Sequence, residues 1–351
     1  MANRDLRWEK TSTLNIGFDA TLFKSLNLSL EYYNKLTDGI LQKVSLPPST
    51  GVINMPDGNV AKVRNSGVEL NINYSKSFGE LNLSFGGNFT TVKNNVEKLY
   101  GGIPMWNIEE GYSLFYLKGY KVGGIFQSDE EAQAYMANYE DVMYQSAKVR
   151  GGDFYFQDKR GAPTAEDIAN GINKYYSPTQ DSIVDNYDQV YIGKSIPGFY
   201  YGFNLNAEFK GFDFSAQFTG VGDVQKVNHV KSTFGMPYGE AMNHTSDVLN
   251  AWTVNNKNTN IPRMIWQDPA ANTRFSDYVV EKAGYLRLSN IQLGYTLPQS
   301  VYVNTNNILR NARIYIGCSN AFTITNFSGL DPEDEYNPAS LIIYTGLNIA
   351  F

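Results

Sequence analysis

Ile343-Tyr344-Thr345-Gly346-Leu347-Asn348-Ile349-Ala350-Phe351 is the stretch whose reading decides the fold. Side chains of a strand alternate between its two faces. Ile343, Thr345, Leu347, Ile349 and Phe351 therefore share one face, and Tyr344, Gly346, Asn348 and Ala350 the other. A strand that runs to a bare aromatic with an apolar face is expected of the last strand of an outer-membrane β-barrel, where that face meets lipid. The buried last strand of a soluble sandwich reads the same way, so the remaining chain must decide.

The same alternation recurs upstream. Leu14, Ile16, Phe18, Ala20 and Leu22 alternate with Asn15, Gly17, Asp19 and Thr21, and Phe23-Lys24-Ser25 turns them into Leu26, Leu28, Leu30 and Tyr32. Val68, Leu70, Ile72 and Tyr74 lead through Gly79 to Leu81, Leu83, Phe85 and Phe89. Phe199, Tyr201, Phe203, Leu205, Ala207 and Phe209 turn at Gly211 into Phe212, Phe214, Ala216 and Phe218. In 284–297, Leu286 and Leu288 change phase to Ile291, Leu293 and Tyr295, which predicts a β-bulge at Ser289–Asn290. Strands near 311–323 and 340–351 complete the set. These runs of about ten residues are long enough to cross a bilayer when tilted, whereas soluble strands average about five or six.

The links sort into two classes. Those at 23–25, 77–80 and 210–211 are short, and 298–310 is moderate. Those at 36–62, 94–198, 221–277 and 324–339 are long, and the two classes alternate. Short periplasmic turns and long extracellular loops do this in a membrane barrel. The fold expected is an all-β, transmembrane antiparallel β-barrel segment of about nine strands, and residues 94–198 form a large extracellular insert. Counting back from Phe351 starts the first strand outside the cell, so an odd number of earlier strands is expected to be missing. Residues 112–126 look extended and are placed in the insert. Ser128 before Asp129, Glu130 and Glu131 predicts a capped short helix, and 239–252 a second loop helix.

Composition agrees with this class. The 351 residues include 25 Tyr and 20 Phe, and only 18% are charged. Mean hydropathy is −0.35, and alternation in a barrel averages the apolar signal away. A net charge of −6 without a Lys/Arg cluster argues against nucleic acid. Cys318 is the single cysteine, which excludes a disulfide framework. It shares strand phase with Ala312, Ile314 and Ile316 and reads as a small apolar residue. The first residues, Met-Ala-Asn-Arg-Asp-Leu-Arg-Trp, contain no apolar signal core. A barrel must be exported, so the chain is expected to be a fragment.

Several segments resemble one family. Asp5-Leu6-Arg7-Trp8-Glu9-Lys10 with Asn15-Ile16-Gly17-Phe18, Arg64-Asn65-Ser66-Gly67-Val68-Glu69-Leu70, and Gly119-Tyr120-Lys121-Val122-Gly123-Gly124-Ile125-Phe126 carry the likeness. Leu286-Arg287-Leu288-Ser289-Asn290-Ile291-Gln292-Leu293-Gly294-Tyr295 is the most specific, and Ser328-Gly329-Leu330-Asp331-Pro332-Glu333 follows in order. Together they resemble the SusC/RagA family of TonB-dependent outer-membrane transporters. The resemblance implies the C-terminal part of a barrel of about 22 strands. It further implies import of glycans or oligopeptides beneath a SusD-like surface lipoprotein, with TonB acting through a plug-bearing part that this chain lacks. No cofactor is implied. The stretch Gln157-Asp158-Lys159-Arg160-Gly161-Ala162-Pro163 departs from the family's Asp/Asn/Gly-rich turn, which leaves any calcium-like site there in doubt.

No catalytic or metal-ligating pattern stands out. His229 and His244 lack metal-ligand spacing. Asp331, Glu333, Asp334 and Glu335 read as a solvated acidic loop in preference to a calcium site. Trp106, Tyr112, Tyr116, Trp252 and Trp266 fall in outer loops and are the candidate ligand-binding aromatics, since exposed rings stack on sugars or pack on a partner. The alternative for each is packing within its loop. Tyr32, Tyr33, Tyr74, Phe78 and Tyr295 are assigned to aromatic girdles at the membrane surfaces. Leu347, Ile349 and Phe351 are expected to act as the barrel-assembly signal. Two competing classes remain: a small outer-membrane barrel enzyme of protease or phospholipase type, and a soluble β-sandwich that binds carbohydrate.

Overall fold

The structure, a computed structural model, describes residues 6–43, 56–100, 108–145, 148–170, 175–236, 243–301 and 310–351. Among these residues ten strands form one antiparallel sheet. They are β1 (Lys10–Leu22), β2 (Leu26–Lys43), β3 (Asp57–Phe78), β4 (Leu81–Thr91), β5 (Lys93–Leu99), β6 (Phe199–Phe209), β7 (Phe212–Gly222), β8 (Tyr285–Thr296), β9 (Asn311–Thr325) and β10 (Ile342–Ala350). The order is β1-β2-β3-β4-β6-β7-β8-β9-β10, with β5 beside the outer half of β3. Because β3 spans 22 residues, β4 covers its Glu69–Phe78 half and β5 its Ala61–Ser66 half. Thus β4 and β5 make one interrupted crossing, and the count of crossings matches the nine expected from alternation.

Register carries the apolar stripe across the wall. Phe18, Leu30, Leu70, Phe89, Tyr201, Gly220, Leu286 and Ile324 lie opposite one another in successive strands. One position along, Asp19, Ser29, Asn71, Asn88, Gly202, Thr219, Arg287 and Thr323 make the polar row of the other face. Among the described residues no second sheet packs on the apolar face. Ile16 is 63% exposed, Ile316 55% and Ile343 69%. An apolar surface of this extent is a lipid-facing surface, not a sandwich core.

The predicted bulge is present. Gln217 and Phe218 of β7 are adjacent, but their partners Asn290 and Leu288 skip Ser289. Opposite it, β9 bulges at Asn320, which adopts a positive φ of 53°. The short turns also have their geometry from sequence. Phe23 and Lys24 have φ values of 54° and 59°, and Ser25 N–H donates to the Leu22 carbonyl, so two non-glycine residues hold a type I′ turn.

The expected long link 36–62 is shorter than the alternation indicated. β2 runs on to Lys43 and β3 begins at Asp57. Its register shifts after Asp38, where Gly39 turns at φ 73° and its carbonyl accepts from Asn59 Nδ2 at 2.7 Å. Beyond that point Val60, Ala61 and Val63 pack against Val96, Leu99 and Ile108. Protein, not lipid, covers this part, so the period-two pattern fades. Tyr32 and Tyr33 consequently lie inside β2, not near its end, and Tyr33 lies over Gly67 on the polar side, which corrects its assignment to a girdle.

Further buried cores lie in the loops beyond the strand ends. Residues Leu117–Gly119 pair with Val190–Gly193, and Val122–Ile125 with Phe154–Phe156. Helix α1 (Asp129–Asn138) starts at Ser128, whose side chain accepts from Glu131 N–H as the sequence predicts. Tyr120, Ile125, Phe154, Phe156, Val184, Met236 and Trp252 form one cluster of this body. Arg274 is buried within it and pairs with Asp141 at 3.0 Å, its guanidinium 4.0 Å from the Phe156 ring centroid. Burial pushes the Asp141 carboxyl above its ordinary range, and Arg274 opposes that shift. The loop helix expected over 239–252 is a 3-10 turn at Ser246–Asn250, and 239–242 lie outside the described residues.

Candidate functional site: a polar cavity in the outer loops

Two concavities stand on the polar side of the molecule. One, of about 680 Å³, lies in the outer loops, and its lining includes Asn228, Lys231, Thr245, Asp247, Asn250 and Asn260. The other, about 800 Å³, runs along the polar face of the sheet between Asn71, Asn88, Gly202, Asn204, Gln217 and Asn290. The loop 326–341 borders both, with Ser328 in the first and Glu333 in the second.

The loop cavity has a fixed wall and an uncommitted one. The fixed wall is built by helix α2 (His229–Phe234). Asn228 caps it by accepting from Lys231 N–H at 2.9 Å, and its amide donates to Ser328 Oγ at 2.8 Å. Ser328 Oγ is also 2.9 Å from Glu281 Oε2, and Lys231 Nζ donates to the Tyr278 carbonyl at 2.6 Å. The ammonium of Lys231 sits 3.9 Å from the Tyr278 ring centroid, so that ring face is occupied. Burial opposes ionisation of Glu281, but hydrogen bonds from Ser328 and Asn228 and the Lys231 charge outweigh it and hold the carboxyl below its usual range. Burial raises the Tyr278 phenol to about 12, with Asp247 and Glu281 adding to the effect.

Across the cavity, hydrogen-bonding capacity is unspent. The Thr245 hydroxyl is buried without a partner among the described residues. The side chains of Asp247, Asn250, Asn258 and Asn260, which also line the cavity, make no hydrogen bond or ion pair among the described residues. Three carboxamides, one carboxylate and one hydroxyl thus face a space large enough for a small polar ligand.

The acidic loop is solvated only in part: Glu333 and Asp334 are exposed as the sequence reading had it, but Asp331 is buried. Arg287 of β8 points a buried guanidinium at Asp331, with Nη2 2.7 and 2.8 Å from its two oxygens, and Nη1 reaches Glu333 at 2.6 Å. Asp331 also accepts N–H bonds from Glu333 and Ala339 at 2.8 and 3.0 Å. Burial raises the cost of its charge, but these bonds and Arg287 more than offset it and keep the carboxyl below its ordinary value. Neighbouring Glu335 accepts from His229 N–H at 3.1 Å, and Tyr336 Oη lies 3.2 Å from His229 Nε2. Among the described residues no group of three or more His, Cys, Asp or Glu could hold a metal ion.

The five aromatics picked from sequence do not converge. Trp106 lies outside the described residues. Tyr116 is buried, donates to Glu109 at 2.7 Å, and stacks with Tyr112 at 4.8 Å and Tyr191 at 6.0 Å. Tyr112 remains half-buried. Trp252 is buried in the loop core, with Gly151 and Gly152 against its ring. Trp266 is 64% exposed. The cavity residues were missed, although the run Asn255-Asn256-Lys257-Asn258-Thr259-Asn260 carried a readable signal: short polar side chains too dense for a strand.

With the single wall, sorted loops and cavity established, the comparison with known proteins is direct. Residues 1–215 match the family described as TonB dependent receptor-like, beta-barrel. The chain belongs to this TonB-dependent receptor family. TonB-dependent receptor P3 of Formosa agariphila is 29% identical over 337 residues, covering 95% of this chain and 32% of the relative. TonB-dependent receptor SusC of Bacteroides thetaiotaomicron is 25% identical over 365 residues, covering 99% and 32%. The solved structure of the RagAB peptide transporter superposes with a TM-score of 0.76 at 26% identity, covering 99% of this chain and 36% of that one. This TonB-dependent receptor chain therefore spans about a third of the length of the relatives it matches. The family and its SusC and RagA members are outer-membrane β-barrels, and the sheet seen here is a partial barrel. The matched relatives are receptors and transporters, not enzymes.

Proposed function

We propose that this chain supplies wall and outer loops to a nutrient importer that takes up glycans or oligopeptides. A SusD-like lipoprotein covers the loops, and TonB drives the transporter through a part of the protein outside this chain. The observation that carries this reading is the likeness to SusC and to the RagAB peptide transporter over 99% of the chain. In this reading Thr245, Asp247, Asn250, Asn258 and Asn260 form the polar grip on substrate, and exposed Trp266 offers a ring face elsewhere on the loops. Tyr116 and Trp252 serve the loop fold before any ligand. Leu347, Ile349 and Phe351, which are 60%, 45% and 75% exposed, act as the assembly signal on the lipid face.

The test begins with the native polypeptide. An antibody against the 243–252 loop should detect, in outer-membrane extracts, a band far larger than 39.4 kDa. The protein purified from that band should retain a surface lipoprotein and bind a neutral oligosaccharide or a peptide. Asn250→Ala with Asn260→Ala should weaken that binding about ten-fold or more, since each lost hydrogen bond is worth about 0.5–1.5 kcal/mol. Equal binding by the double variant would remove the cavity from the reading.

A further inference from the structure

A recurrent pair joins neighbouring strands. Tyr33 lies directly opposite Gly67, Tyr201 opposite Gly220, Tyr344 opposite Gly317, and Tyr315 opposite Gly346. In each pair the tyrosine ring lies over the glycine. A Cβ added at Gly67, Gly220, Gly317 or Gly346 would fall within 3.0 Å of the facing tyrosine's ring or hydroxyl. Only glycine leaves this path open.

Three of these tyrosines use the path to reach a third strand. Tyr33 of β2 crosses β3 and donates to the Thr91 carbonyl of β4 at 3.0 Å. Tyr201 of β6 crosses β7 and donates to the Tyr285 carbonyl of β8 at 3.0 Å. Tyr344 of β10 crosses β9 and donates to Asn290 Oδ1 of β8 at 2.9 Å. Each binds three strands at one level and thereby fixes their relative stagger, which a slip by one residue would destroy.

Tyr315 repeats the first half of this pattern without the second. It starts on β9 and lies over Gly346 of β10, the last strand of the sheet. Its hydroxyl makes no hydrogen bond among the described residues. By the geometry of the other three, the hydroxyl is aimed past β10, at the sheet's free edge. We infer that Tyr315 is a seam latch: its hydroxyl crosses Gly346 and donates to an oxygen on the strand that pairs with β10. The occupant is a barrel strand of the same polypeptide, supplied by the two-thirds of the relatives' length that this chain does not cover. The inference rests on the proposed membership of a complete barrel.

The test uses the full-length protein in outer-membrane vesicles, with hydrogen exchange read over Ile342–Ala350. Slow exchange of the outward-facing β10 amides in the unmodified protein establishes that a strand covers the edge; solvent-rate exchange there refutes the complete-barrel reading itself. Given a covered edge, Tyr315→Phe removes only the hydroxyl and should speed exchange of the outward-facing amides about three- to ten-fold, the range for one neutral hydrogen bond. Tyr344→Phe should leave those amides unchanged and loosen β8–β9 instead. No change in Tyr315→Phe, or equal acceleration throughout β9, overturns the latch. As a check that does not depend on the hydroxyl, Gly346→Ala should loosen β10 when Tyr315 is present but much less in the Tyr315→Ala background. Additive effects overturn the placement of the ring over Gly346.

Discussion

Replacing Asp331 with alanine should release the loop 326–341 from the wall. Arg287 and Asp331 are 4% and 6% exposed, so neither charge is solvated well enough to stand alone. The substitution leaves the guanidinium with Glu333 and with Thr323 Oγ1, the latter at 3.0 Å from Nε. It also leaves the Glu333 and Ala339 N–H groups without their acceptor. Removing one partner of a buried pair costs about 3–5 kcal/mol. Glu333 still faces Arg287 but is largely in solvent, which places the expected cost near the lower figure, about 3 kcal/mol. At 1.36 kcal/mol per decade, that is roughly a hundred-fold rise in the open population of the loop. Hydrogen exchange of a peptide spanning 334–341 reads it, with the Ile342–Ala350 peptide as internal control. A rise below about five-fold, or loosening of β10 by the same factor, would refute the claim that this pair pins the loop.

The same loop should open with acid in a defined direction. Because the Asp331 carboxyl is held below its usual range, its contribution is complete above the unfolded value of about 3.9 and is lost as pH falls through the lower folded value; exchange at 334–341 should stay slow at pH 5 and rise only well below pH 4. Trp252→Ala should cost about 3–5 kcal/mol in the loop body, as buried aromatic truncations do, whereas exposed Trp266→Ala should stay within about 0.5 kcal/mol and weaken substrate binding; calorimetry with ligand titration separates the two. Gly294→Leu should break the Arg313–Asp213 pair, which passes over that glycine; loss of the unheated-gel mobility of the folded barrel is the readout.

Legibility tracked the origin of each feature. The wall was readable because lipid on one face and water on the other impose a two-residue period along Leu14–Leu22 and Phe199–Phe209. The Ser289 bulge was readable because it interrupts that period. The period was lost past Gly39, where Val60 and Val63 meet Val96 and Ile108 instead of lipid. Tyr32 and Tyr33 were both given to a girdle, yet adjacent strand residues face opposite ways, and Tyr33 takes the polar side over Gly67. Asp331 looked solvated because Arg287 is 44 residues away in sequence. The cavity escaped notice because it joins α2, the 245–261 segment and Ser328, whose approach is tertiary.

The buried clusters lie in the loops and at the Val60–Val63 end of β3, while the rest of the sheet is held by its ladder and its solvent. The two parts of the molecule are therefore stabilised by different means. Mutation can rework the headpiece, with its own buried clusters and ion pairs, while the pore wall keeps its stagger. Swapping the 100–198 and 223–284 segments between relatives is then a modular operation: new appetites can be grafted onto an unchanged hull, provided that Ser328 still finds its carboxylate at position 281.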